Sequence, residues 1–240
     1  MTEFLYQTDS YLKEFEAVVT AVDREQSSFL LDKSAFFPGG GGQPADRGTV
    51  AYNSDRVELK KIAKQGDDIV HYTDGELPEP GTHLTAYIDW PHRYKLMRTH
   101  SAMHVLCGVV WRDYQAQVTG GNMEPLKGRM DFEFENFSAE LVQEIEAKVN
   151  AEIKEARPVS VRILPREEAE QIPDLIRTKI NLLPDSLTRI RVVEIEGLDL
   201  QADGGTHVAN TSEIGAFRIV GHKSKGKINK RLKIELEEAE

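Results

Sequence analysis

From residue 14 to about 90, apolar and polar positions alternate in short runs, FEAVVTAVD, SFLLDKSAFF, RGTVAYN, DRVELKKIAKQ, DIVHYT and HLTAYID, broken by Gly, Pro, Asn and Asp. Alternation with period two marks strands with one buried face, and short strands at this spacing predict a small β-barrel or sandwich. At DWPHRYKLMRTHSAMHVLCGVVWRDY the period changes. Leu96, Met103, Leu106 and Val110 recur at helical spacing, Asp89 is placed to cap and Pro91 suits a first turn, so a long helix is expected over 91–113. A second helix is expected over 138–156, with Ser138 as N-cap, Glu140 in its first turn, Leu141, Ile145, Val149 and Ile153 as its stripe, and Pro158 beyond its end. Strand patterns return in VSVRIL, TRIRVVEI, AFRIVGHK and KRLKIEL. The pattern predicts an α+β protein: an N-terminal small β-barrel domain over 1–90, then an α+β domain over 91–240 whose antiparallel sheet carries two long helices on one side.

Composition narrows the chemistry. The 240 residues, 40% hydrophobic and 29% charged, can bury two modest cores. No apolar run approaches the ~20 residues that span a bilayer, and MTEFLYQTDS has neither a basic region nor an apolar signal core, so the expected location is cytoplasmic, away from membranes. Cys107 is the only cysteine, which rules out an internal disulfide and a four-cysteine zinc ribbon. A net charge of −10 argues against a general nucleic-acid coat but leaves room for a local patch. One such patch is HKSKGKINKRLK, with six Lys or Arg and no acid. It reads either as a solvated strand or as a segment suited to an RNA backbone.

Two residue pairs stand out. T-H-S-A-M-H sets His100 and His104 four apart on a helix, so both imidazoles leave one face a turn apart. D-G-G-T-H sets Asp203 and His207 around a glycine turn. Together they offer three nitrogens and an oxygen, donors that zinc accepts, with Cys107 as an alternative sulfur on the helix. Ser101 stands where an H-E-x-x-H metalloprotease needs its glutamate, which disfavours that chemistry. In SAFFPGGGGQPADRG the four glycines exceed what one tight turn needs and point to close backbone approach by a partner or another domain. No lysine follows them, so they do not form a phosphate-binding G-x-x-x-x-G-K-[ST] loop.

In order along the chain, AFFPGGGGQPADRG, RTHSAMHVL, LDLQADGGTHVANTSEIG and KSKGKINKRLKI resemble the AlaX family. These are free-standing alanyl-tRNA editing proteins related to the editing domain of alanyl-tRNA synthetase. The resemblance spans nearly the whole chain and is closest to members of intermediate size. It implies hydrolysis of the ester joining a wrong amino acid, chiefly serine and also glycine, to tRNA(Ala). The family's H-x-x-x-H and C-x-x-x-H pattern places Zn2+ ligands on His100, His104 and His207, with Asp203 where the family has cysteine. Asp203 is then a fourth ligand or a base beside the metal. Ser101 and Thr206 would contact the serine hydroxyl. The barrel and Gly40, Gly41 and Gly42 would frame the site, with Gln43 near the substrate terminus. Lys223, Lys225, Lys227, Lys230 and Arg231 would meet tRNA phosphates. A zinc-dependent hydrolase of small esters or amides, and a non-catalytic RNA-binding module with structural zinc, fit the same residues.

Overall fold

The period-two runs do form strands. The computed structural model describes residues 1–134, 138–176 and 187–238, and divides into two units, Met1–Lys95 and Leu96–Glu240. The first contains β1 (Glu3–Phe4), β2 (Glu14–Asp23), β3 (Ser28–Leu31), β4 (Lys33–Ser34), β5 (Gly48–Tyr52), β6 (Asp55–Glu58), β7 (Lys61–Gln65), β8 (Asp68–Tyr72) and β9 (His83–Ile88). Seven of them form one antiparallel sheet in the order β6-β5-β9-β2-β3-β8-β7, while β1 and β4 make a short parallel pair. Strand β2 turns the corner. Its first half, Glu14 to Val18, pairs with β9, and its second half, from Val19, pairs with β3, with a register shift between Val19 and Ala21. A strand shared in this way folds one sheet over its own core, here Phe15, Val19, Phe29, Leu31, Phe36, Val50, Ile69 and Leu84. The expected barrel is thus seen as a folded seven-stranded sheet, with β6 and β7 unpaired with each other among the described residues. Both end strands are rich in exposed charge, which suits edges rather than a closed seam.

The glycine run lies in this unit. Gly39, Gly40, Gly41 and Gly42 have φ of 86°, 142°, 58° and 90°, and Gly40 and Gln43 exchange both backbone hydrogen bonds, at 3.0 and 2.9 Å. Gly41 and Gly42 are the two central residues of a type I′-like turn, which requires positive φ at both. A β-carbon on Gly40 or Gly41 would have nothing within 4 Å. Backbone conformation therefore explains the run, and close approach is not needed within this unit. At the loop's neck the Asp46 amide donates to the Phe37 carbonyl (2.9 Å) and the Phe37 amide to Asp46 Oδ2 (2.6 Å). The fully buried Arg93 guanidinium locks it, donating Nε to Asp46 Oδ1 (2.8 Å), Nη2 to the Ala35 carbonyl (2.7 Å) and Nη1 to the Ser10 carbonyl (2.9 Å).

Helix α1 (Trp90–Tyr114) begins where Asp89 Oδ1 accepts the His92 amide, as its capping position predicts. Every residue from Leu96 to Val110 is buried. The helix therefore runs through the interior of the second unit rather than lying on it with one apolar face. The remaining elements are β10 (Val118–Glu124), β11 (Lys127–Glu133), α2 (Ala139–Lys154), β12 (Val159–Pro165), α3 (Arg166–Ala169), β13 (Arg189–Ile195), β14 (Asp199–Ala202), β15 (Phe217–Ser224) and β16 (Asn229–Leu236). They make two antiparallel sheets where one was expected, β10-β11-β16-β15 and β12-β13-β14.

Ser138 caps α2 by accepting the Leu141 amide, and the buried stripe is Val142, Ile145, Val149 and Ile153, with Leu141 at its margin. Two glycines let α1 approach the four-stranded sheet: β-carbons on Gly121 and Gly128 would lie 3.3 and 3.0 Å from the Met103 side chain. On the helix itself, a β-carbon on Gly108 would sit 2.9 Å from Leu198 Cγ and 3.0 Å from the Leu198 carbonyl oxygen. That contact brings the start of β14 against the turn of α1 that carries His104. Among the described residues no helix is long and apolar enough to cross a membrane.

Candidate metal centre

The two sequence pairs meet. His100 and His104 leave α1 one turn apart, and Asp203 and His207 leave the turn after β14. One candidate ligand atom from each lies within 4.8 Å of the others. Asp203 Oδ1 is 3.3 Å from His100 Nε2 and 3.9 Å from His104 Nε2, and Asp203 Oδ2 is 3.0 Å from His207 Nε2. The glycines after Asp203 have a local role, since the Gly205 amide donates to Asp203 Oδ2 (2.6 Å) and closes the turn. Asn210 then ends the loop, its side chain accepting the Ser212 amide while Glu213 reaches back to the Asn210 amide.

Two imidazoles are held by their far nitrogen. His104 Nδ1 is 2.8 Å from Asp199 Oδ2, a carboxylate that can only accept, so Nδ1 carries a proton and Nε2 faces the cluster. Gln201 Nε2 donates to the same Asp199 oxygen (2.8 Å) and to Cys107 Sγ (3.3 Å), so the thiol is engaged away from the four-residue group. His207 Nδ1 is 3.2 Å from Ser101 Oγ, which also accepts the Val208 amide. Arg191 Nη1 donates to the Asp203 carbonyl (2.9 Å) and lies 3.7 Å from its carboxylate.

Burial opposes charge on His104, yet hydrogen bonds to Asp199 and Asp203 outweigh it and lift its pKa to about 9. Burial likewise opposes charge on Asp203, and the His100 charge with hydrogen bonds from the three imidazoles overcomes it, holding the carboxyl well below its usual range. His207 is pushed well below 6.5, first by burial and then by the charge on His100. Buried Asp199 and half-buried Asp203 thus concentrate negative potential among three inward-facing nitrogens. A set of three imidazoles and a carboxylate in that field fits a divalent cation of the zinc type.

The other expected site residues are distributed differently. Ser101 is fully buried behind the His207 ring, so its hydroxyl orients that ring rather than facing outward. Thr206 is fully buried beside His207. Gln43 and the glycine run belong to the first unit and the metal cluster to the second. The basic tail is a hairpin, not an open segment. Lys230 is buried and its ammonium donates to Ser224 Oγ (2.9 Å) and to the Gly226 and Lys227 carbonyls (3.0 Å each), which removes it from the surface. Arg231 is committed to a two-pronged pair with Asp131 at 2.7 and 2.8 Å. Lys223, Lys225 and Lys227 are exposed. Asp199, Gln201 and Arg191 were not singled out from the sequence. Their signal is weak but present: Asp199, Gln201 and Asp203 fall at period two, one face of a strand.

The family described as "Threonyl and Alanyl tRNA synthetase second additional domain" matches residues 190–233, which include Asp199, Asp203 and His207. A second, "tRNA synthetases class II (A)", matches residues 3–92. Alanyl-tRNA editing protein AlaX-M of Methanosarcina barkeri is 38% identical over 238 residues, 97% of this chain and 98% of its own. The protein of the same name in Saccharolobus solfataricus is 38% identical over 236 residues, with the same coverage. Alanine–tRNA ligase of Ignicoccus hospitalis is 37% identical over 224 residues, 91% of this chain but 24% of the ligase.

Proposed function

Because the chain belongs to the AlaX-M family of alanyl-tRNA editing proteins, we propose that it deacylates mischarged tRNA(Ala). It hydrolyses the ester of serine, and also of glycine, at a zinc site on His100, His104, His207 and Asp203. The observation that carries this reading is the convergence of three Nε2 atoms and one carboxylate from two distant segments. Bound zinc supplies Lewis-acid polarisation at an ester carbonyl or an attacking water. The chain supplies the rest. Asp199 holds the His104 proton on Nδ1, Ser101 fixes the His207 ring, and Gly205 fixes one Asp203 oxygen, leaving Oδ1 toward His100 and His104 as fourth ligand atom or proton acceptor. In this reading Thr206, next to His207 in the chain, meets the hydroxyl of serine. A site that pairs with a hydroxyl leaves its own polar groups unmatched when alanine enters, which separates the correct from the incorrect amino acid.

In this reading residues 91–240 form the zinc-binding editing domain. Residues 1–90 form the folded-sheet domain that carries the glycine turn and Gln43. The protein works in the cytoplasm, away from membranes. The test is deacylation of Ser-tRNA(Ala), Gly-tRNA(Ala) and Ala-tRNA(Ala), with and without chelator, beside a small seryl ester. Ser-tRNA(Ala) should be hydrolysed and Ala-tRNA(Ala) spared. Intact Ser-tRNA(Ala) would remove the editing assignment. Hydrolysis of the small ester alone would favour a general esterase, and tRNA binding without hydrolysis would favour a structural metal.

A further inference from the structure

We propose that the outer face of the β11-β16-β15 sheet, not only the lysine segment at its end, docks the phosphate backbone of an RNA stem. The proposal rests on the reading that the protein acts on tRNA.

The register sets the face. Asp131 lies opposite Arg231, which lies opposite Lys223, in one row; Arg129 lies opposite Lys233, which lies opposite Gly221, in the next. Cross-strand neighbours share a side of the sheet. The opposite side carries Met130, Phe132, Leu232 and Ile234, all buried. The two rows therefore present Arg129, Lys223, Arg231 and Lys233 outward, and the hairpin adds exposed Lys225 and Lys227.

Asp131 is the single carboxylate within the two rows, and three cations share it: Arg231 with two prongs, Arg129 at 3.5 Å and Lys225 at 3.6 Å. One negative charge cannot neutralise three, so it holds them at fixed spacing while leaving the patch strongly positive. The buried Lys230 ammonium ties the hairpin turn through two carbonyls and Ser224, which gives Lys225 and Lys227 a defined position. Charge on the face ends sharply. Glu133 lies beyond one end, and at the other Lys127 is paired with Glu235 at 3.3 Å.

On a chain of net charge −10, this local surplus is electrostatically complementary to a polyanion. Neither row contains an aromatic residue, so the face lacks the ring platforms on which splayed bases stack. Contact with the backbone of a paired stem, which positions without reading sequence, matches its chemistry.

The experiment reverses three exposed lysines together, Lys223→Glu, Lys227→Glu and Lys233→Glu. It follows tRNA(Ala) binding across a salt series, with Lys60→Glu, whose lysine pairs with Asp74 in the other unit, as the control. Each lost phosphate contact should lower the slope of log K against log salt by roughly 0.7–0.9, about 2 to 3 in all. The control should keep the wild-type slope, and the triple variant should keep the wild-type unfolding temperature, so that a lowered slope reports lost contacts and not a lost fold. A wild-type slope in the triple variant overturns the proposal. If the slope falls but wild-type protein hydrolyses no Ser-tRNA(Ala), the docking face stands and the hydrolase reading fails.

Discussion

Two buried imidazoles, one in each unit, have opposite fates. His71 lies in the core of the first unit, stacked on Phe29 at 5.5 Å between ring centroids and edge-on to Phe36, with Nε2 3.1 Å from Ser34 Oγ. Burial lowers its pKa to about 4, so it is a neutral, space-filling ring. His104 is also buried, but carboxylates stand at both of its nitrogens and raise it to about 9. Burial alone therefore does not make a histidine functional. What matters is whether its neighbours supply negative charge that a cation can answer, and Phe29, Phe36 and Ser34 around His71 carry none.

The largest test of that contrast is His104→Ala. A four-ligand zinc site is worth about 10–16 kcal/mol, so one donor carries about 2.5–4 kcal/mol, on the order of 10²–10³-fold in metal affinity. Metal content after dialysis and the rate of Ser-tRNA(Ala) deacylation should fall together, and a variant retaining metal would remove His104 from the ligand set.

Next comes the acid sensitivity of His71. Its folded pKa of about 4 lies below the unfolded value of 6.5. The unfolded chain therefore takes up a proton first as pH falls. Stability present above pH 6.5 is lost progressively down to about pH 4, by roughly 3 kcal/mol. Urea unfolding at pH 7 and pH 4 should show His71→Phe escaping this loss; equal losses in both proteins would mean the ring is not held neutral.

Asp199→Asn keeps the shape but removes the charge behind His104. Metal affinity, measured by competition with a chelator, should weaken about 10- to 100-fold while the helical content stays the same. Unchanged affinity would reduce Asp199 to a packing residue.

The smallest effect is expected at the glycine turn. Gly41→Ala has free space but φ of 58°, so it should cost about 1 kcal/mol in thermal unfolding, and Gly41→Asn less. A much larger cost would show that a side chain there meets something beyond its own unit.

Much of this was legible in the sequence because local periodicity reports burial. Both long helices and most strands follow from spacing, and the four clustered residues from H-x-x-x-H and D-G-G-T-H. The strands β10 and β11 were missed because Gly120, Gly121 and Gly128 blur the alternation, and those glycines serve a contact with Met103 that only the tertiary fold reveals. Lys230 was misread for a different reason. Its chemistry suggested solvent, but KRLKIEL places it in phase with Leu232, Ile234 and Leu236 on the buried face. Strand parity was the better guide. Asp199 escaped because an acidic residue acting through a histidine 95 positions away has no local signature.

That separation has a consequence for how the protein comes into being. Ser101 and His207, which hold each other in place, are 106 positions apart. A chain emerging from the ribosome makes the helical half of the site first, and the turn carrying the other two candidate ligands emerges well after it. A cation at these four residues would have to wait for both segments of the second unit to come together, and would stabilise only the finished fold. The metal would act as a late seal on folding as well as a reagent.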